Sequence, residues 1–268
     1  MRILRNTRSA PPVLHLIVAA FIVTPLALGA PRRAGEAEYA KDDCPVVCGD
    51  TLVVPYGCTY IITDTESYDQ VHVCENATLD LGDGARLEVR DLVVVDPGGA
   101  LRVNAGDAET RPQLVTIGDL DISGHLSVAG TKGGRIAVRP GYSNPTVTLN
   151  DDGLITSNSG PVIIDAPLGN NGIIRANGAS TASAITFTAA PLANSCGRFE
   201  VAENEAARMV FASGSGVSIT GGAHFDVRTG RLEFYASVET NGGLRMLRGK
   251  IIVAATKTFK KTGAFEEP

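Results

Sequence analysis

From about residue 76 onward the chain alternates apolar and polar residues in short runs. Ala77-Thr-Leu-Asp-Leu, Ala85-Arg-Leu-Glu-Val, Gly124-His-Leu-Ser-Val, Gly134-Arg-Ile-Ala-Val, His224-Phe-Asp-Val and Arg231-Leu-Glu-Phe are typical. A period of two places alternate side chains on opposite faces of an extended segment, so these runs predict strands with one buried face. In this reading Ile122 and Val128 point inward and Ser127 outward. Between the runs stand Asp83-Gly84, Pro97-Gly98-Gly99, Asp152-Gly153, Asn171-Gly172 and Asn177-Gly178, residue types that accept sharp turns. Ala202-Glu-Asn-Glu-Ala-Ala-Arg could wind into a short helix. An irregular turn between strands at Arg198–Val201 and Met209–Ala212 fits it equally.

Many short strands with regular turns suit either an antiparallel sandwich or a coiled parallel solenoid. The unit of Gly, a small or polar residue, then apolar, polar, apolar recurs at roughly 6 to 14 residues and sometimes near 20, so two or three units make one coil of about 20 residues. Successive coils would lie about 4.8 Å apart, with equivalent side chains stacked into apolar ladders inside and Asn or Gly ladders at the corners. Asn-Gly and Asp-Gly also close hairpins, which keeps the sandwich as the alternative. Against it, aromatic residues, the usual anchors of sandwich cores, make up only 5% of the chain. The expected fold is all-β: a single-stranded right-handed parallel β-helix over residues 76–255, a disulfide-stapled Cys-rich cap at 44–75 and a tail at 256–268.

The stretch from Ala77 to Val253 contains Pro97-Gly-Gly-Ala-Leu-Arg-Val, Ser123-Gly-His-Leu-Ser-Val and Gly221-Gly-Ala-His-Phe-Asp-Val-Arg-Thr-Gly-Arg-Leu-Glu-Phe. In these motifs it resembles bacterial secreted parallel β-helix proteins of the adhesin and autotransporter-passenger type. The resemblance implies a surface or adhesive role on a solenoid fold. The sequence departs from that type in carrying no pattern of a translocator barrel, sorting motif or calcium-loop anchor.

Arg2, Arg5 and Arg8, the apolar run Val13–Leu28 and the small residues Ala27, Gly29 and Ala30 have the three-part layout of a secretory signal. Cleavage is expected after Gly29, with residues 30–43 as a linker, no membrane span in the mature form, and a secreted or cell-surface protein as the product. Removing residues 1–29 leaves 21 bases against 29 acids, a formal charge of −8, which disfavours nucleic acid as a partner. The charge is polarised. Residues 42–109 hold fourteen acids and three bases, whereas 241–261 hold six bases and no acid. Such opposed ends suit weak head-to-tail self-association; the alternative is that they keep open sheet edges from pairing.

Cys44, Cys48, Cys58 and Cys74 cluster, and Cys196 stands apart. In an exported chain an even cluster reads as two disulfides, with three connectivities open. A four-thiolate zinc site competes, although the second pair is spaced too widely for it. Cys196 reads as a plain thiol.

For catalysis, Asp119 and Asp121 would point the same way from one strand, with His125 four residues on and Asp151 and Asp152 after Asn150. Carboxylates on one outer face are what polysaccharide-cleaving solenoids use. The polygalacturonase-like segment order is not met, however: Asn150-Asp-Asp follows Gly124-His125, and no Lys follows Arg135-Ile-Ala. No catalytic set, metal site or cofactor motif is therefore assigned. His72 and His224 alternate with apolar residues and read as structural or surface histidines. The expectation is an exported structural or adhesive module with polysaccharide or cell-surface and matrix components as partners. A carbohydrate-active enzyme or a carbohydrate-binding module is the alternative.

Overall fold

The computed structural model describes residues 44–262, apart from 107–110, 131–132, 142–144, 179–183, 189–191, 195–196, 203, 213–216, 221–223 and 241. The segments expected to be a signal and a linker, residues 1–29 and 30–43, lie outside the described residues, as does Cys196. Within them all regular structure is strand, and no helix is long and apolar enough to cross a membrane.

The first six strands are β1 (Val46–Cys48), β2 (Thr51–Val54), β3 (Thr59–Ile62), β4 (Thr65–Val73), β5 (Thr78–Leu81) and β6 (Arg86–Val95). β1 folds back antiparallel on β2, while β2 pairs with β4, β3 with β5 and β4 with β6 in parallel. β4 and β6 are long because each runs through a corner, where the register slips between Tyr68 and Gln70. In the next coil the two halves part: Gln113–Thr116 continues from Arg86–Val89, and Asp119–Ile122 from Leu92–Val95. Three parallel faces result. The first runs from β3 to Leu244–Met246 and has nine strands, hence about eight turns of chain between its ends. The second ends at Lys250–Val253 and the third at Phe259–Lys261. This is the parallel solenoid expected from the alternation.

Inward residues of successive coils stack in register. On the first face Leu101, Leu126, Ile155, Ile174 and Phe199 form one buried ladder. Coil length varies widely without breaking it, from the 29-residue step Leu126–Ile155 to the 19-residue step Ile155–Ile174. Toward the C-terminus the ladders turn aromatic. Phe187, Phe211 and Phe234 stack at 4.9 and 5.0 Å on the second face, and Phe199 and Phe225 stack at 5.3 Å on the first. These separations are close to the spacing between neighbouring strands.

The recurrent glycine sits at the corner leading from the third face to the first, where Gly99, Gly124, Gly153 and Gly172 each precede a first-face strand. A Cβ on Gly124 would lie 2.3 Å from the carbonyl oxygens of Asp96 and Gly99, and one on Gly172 only 2.2 Å from that of Gly153. Consecutive coils touch backbone to backbone here, so a side chain does not fit. In the stretch read as a helix or a turn, Glu205 and Ala206 form a turn before the strand at Arg208–Phe211, with Asn204 Oδ1 accepting from the Ala206 N–H at 2.9 Å.

Two expectations change. Of the four clustered cysteines, Cys44 is bridged to Cys58 across a Cα separation of 6.0 Å, but Cys48 and Cys74 are not joined to each other. Cys48 lies opposite Thr51, which pairs with Gln70, and Cys74 stands four residues beyond Gln70. At about 3.3 Å per residue that is roughly 13 Å along the strands, well past the ~7 Å that a disulfide can span. Ser127 points outward as expected, yet it is only 4% exposed. It occupies the middle of a flat face between Arg102 and Thr156, where longer neighbours cover it.

Candidate functional site

The outer end of the third face, with the corner that follows, carries a polar strip crossing four coils. β4 contributes His72, and Cys74 directly follows its last residue, two positions on and so on the same side of the sheet. One rung on, Asp96 follows the end of β6, its N–H bonded to the Val73 carbonyl at 2.9 Å. Ser123 and Asn150 continue the line, each donating its N–H to the rung before.

Within this strip His72 Nε2 lies 2.7 Å from Asp96 Oδ2, both side chains about a third exposed. The nearest ligand atoms of His72, Cys74 and Asp96 all fall within 4.8 Å of one another. Asn150 Nδ2 donates to Asp121 Oδ1 at 2.8 Å and to Ser123 Oγ at 2.7 Å, tying two coils together. Pro97, Ser123, Asn150, Asp151 and Asp152 line a shallow open depression of about 270 Å³ beside it.

The carboxylates singled out in the sequence thus divide. Asp119 and Asp121 do share the outward side of one strand, with Leu120 and Ile122 buried between and beyond them. Asp119 Oδ1 accepts from the Thr146 N–H at 2.7 Å and from its hydroxyl at 3.0 Å, fixing the entry to the next strand. Asp151 and Asp152 are exposed turn residues at the rim of the depression. His125 does not join them. The corner at Ser123-Gly124 carries it onto the first face, where its Nε2 lies 3.0 Å from Thr156 Oγ1. Burial, then the positive charges of Arg102 and Arg175, holds its pKa below the ordinary 6.5.

A second charged array, on the outer sides of the first and second faces, joins residues far apart in sequence. Glu200 is fully buried and accepts from Arg175 Nε at 2.6 Å and from Arg198 at 3.3 Å. Asp226 lies next to it on the adjoining strand, accepting from Arg228 Nε at 3.0 Å through Oδ2 while Oδ1 has no partner. Glu233 is 3% exposed and accepts both arms of Arg208, at 3.0 and 2.8 Å, and the Tyr235 hydroxyl at 3.2 Å. Burial alone would push the Glu233 carboxyl up; the bonds and charge of Arg208, with Tyr235 and Arg231, outweigh it and hold the pKa below the ordinary 4.5. At the other end of the first face Asp80 has no such fork. Burial raises its pKa, and only the charge of Arg102 opposes.

Sequence reading missed this array because coils of unequal length hide which residues align. The usable signal was the shared frame Phe199-Glu-Val and Phe225-Asp-Val. Comparison of the chain with protein-family models, with curated proteins and with solved structures finds no match.

Proposed function

We propose that the chain is an exported structural or adhesive module whose solenoid presents flat ladder-bearing faces to polysaccharide or to cell-surface and matrix components. The observation that carries this reading is that outward acids and bases pair with one another across successive coils: Asp69 with Arg90, Arg175 with Glu200, Arg208 with Glu233 and Glu239 with Lys260, at 2.6 to 3.1 Å. Groups held this way stiffen the faces and specify their shape. The outer surface then recognises by extent and pattern, as an adhesive module would. The disulfide supports an oxidising environment, in keeping with export through residues 1–29.

The test is fractionation of the full-length chain in its own host together with co-sedimentation on insoluble cell-wall and uronate-containing polysaccharides. The expected result is extracellular protein that begins at Ala30 and is retained by at least one matrix without loss of polymer. Intracellular full-length protein would overturn the reading.

One observation favours a carbohydrate-active alternative: the adjacent carboxylates of Glu200 and Asp226, with Asp226 Oδ1 unpartnered. Paired carboxylates are the tools of glycosidic cleavage. Reducing-end and unsaturated-product assays over neutral and acidic polysaccharides decide it. Turnover abolished by Asp226→Asn would replace the adhesive reading with the enzymatic one.

A further inference from the structure

We infer that His72, Cys74 and Asp96 form a binding site for zinc or a similar late first-row divalent cation. The three offer an imidazole nitrogen, a sulfur and a carboxylate oxygen, a donor set that suits such ions and not calcium or magnesium. The fold brings them together through the stacking of two coils. His72 and Cys74 alternate with Val73 and so project from the same side, and Asp96 stands one rung along from Cys74 because Val73 pairs with Val95.

The distances suit a single ion. Around a tetrahedral zinc with ligands at about 2.0–2.3 Å, donor atoms stand roughly 3.3–3.6 Å apart. The present separations run from 2.7 Å for His72 Nε2 and Asp96 Oδ2 to no more than 4.8 Å for the widest pair, so rotation about side-chain bonds suffices. All three residues are half-buried, which leaves a path for entry and room for a fourth ligand from solvent. Three protein ligands with one open position is the coordination of an exchangeable or reactive site; structural zinc is closed by four. The spacing His-x-Cys followed by Asp a whole coil later resembles no linear metal motif, so the site is not legible from the residue order alone.

The ion would also cross-link β4 to β6 near the end of the molecule already held by the Cys44–Cys58 bridge. Binding should therefore raise the melting temperature as well as register as occupancy.

The test uses the oxidised chain with zinc and cobalt(II) as probes. Calorimetric titration should give one zinc per chain, and cobalt should produce the near-ultraviolet absorption of a thiolate-to-metal charge transfer. Loss of partners behind metal ligands alone costs 10–100-fold in affinity, so Cys74→Ser, His72→Gln and Asp96→Asn should each weaken zinc by at least about 100-fold and abolish the zinc-induced rise in melting temperature. Cys48→Ser should change neither. Circular dichroism of the metal-free variants separates loss of fold from loss of ligand. Full-strength binding in both folded His72→Gln and Asp96→Asn would reduce the effect to capture by a thiol and overturn the proposal, as would absence of the cobalt band in the unmutated chain.

Discussion

Glu233 has the most complete set of partners of any buried carboxylate described above, and it makes acid sensitivity a local property. Its folded pKa lies below 4.5, so its contribution to stability is complete above that value and is lost as pH falls through the lower, folded one. Glu233→Gln should therefore flatten the acid limb of a stability-against-pH curve measured by urea denaturation. Arg208→Ala leaves the same carboxylate buried with fewer donors. It should cost about 1–3 kcal/mol near neutral pH, discounted for the partial exposure of the arginine. An unchanged midpoint would mean that solvent replaces the guanidinium without penalty. Gly172 presents the opposite problem, absence of space. Gly172→Ala forces the new methyl against the Gly153 carbonyl, and a loss of roughly 1–3 kcal/mol is expected in the same assay. The exposed turn residue Asp152 should tolerate alanine with little change.

At the level of elements, the ladders carry the stability. Phe211 stacks between Phe187 and Phe234 and meets Phe199 and Phe225 edge-on, so Phe211→Ala should cost about 3–5 kcal/mol in chemical denaturation, and Phe211→Leu distinctly less. Equal tolerance of both would place the ring outside the cooperative core. The strands themselves were legible, because alternation and turn residues are local signals: His125–Gly130, Arg135–Val138, His224–Val227 and Arg231–Phe234 begin within a residue of where the pattern places them. The alignment of one coil on the next was not, since connections of different length separate equivalent residues. That is why Asp119 and His125, six residues apart, lie on different faces, while Glu200 and Asp226 are neighbours. The phenylalanines held the missing register. Phe187, Phe211 and Phe234 recur at intervals close to one coil, but their small number reads as a lack of aromatic anchors until they are seen stacked.

For the whole molecule, each coil leans only on its neighbours, so the two ends are where order is easiest to lose. The Cys44–Cys58 bridge ties the β1–β2 fold-back to the first coil. Opening it with reductant should cost about 2–4 kcal/mol, and an unaltered melting curve would show that this end does not limit unfolding. At the other end Ile252 and Leu247 are exposed, and Lys250, Lys257 and Lys260 surround the last strands. Charged residues on an edge strand discourage pairing with a second copy. Light scattering should accordingly report a monomer at both low and high salt; an assembly that dissociates as salt rises would favour head-to-tail stacking instead. The three corners also differ in what they permit. Equivalent first-face residues stay in register although 29 residues separate Leu126 from Ile155 and only 19 separate Ile155 from Ile174, whereas the glycine corner has no room for even a methyl group. Foreign peptides grafted away from that corner would leave the winding intact, on a scaffold whose pitch, about 4.8 Å per coil, sets the distance between displayed epitopes.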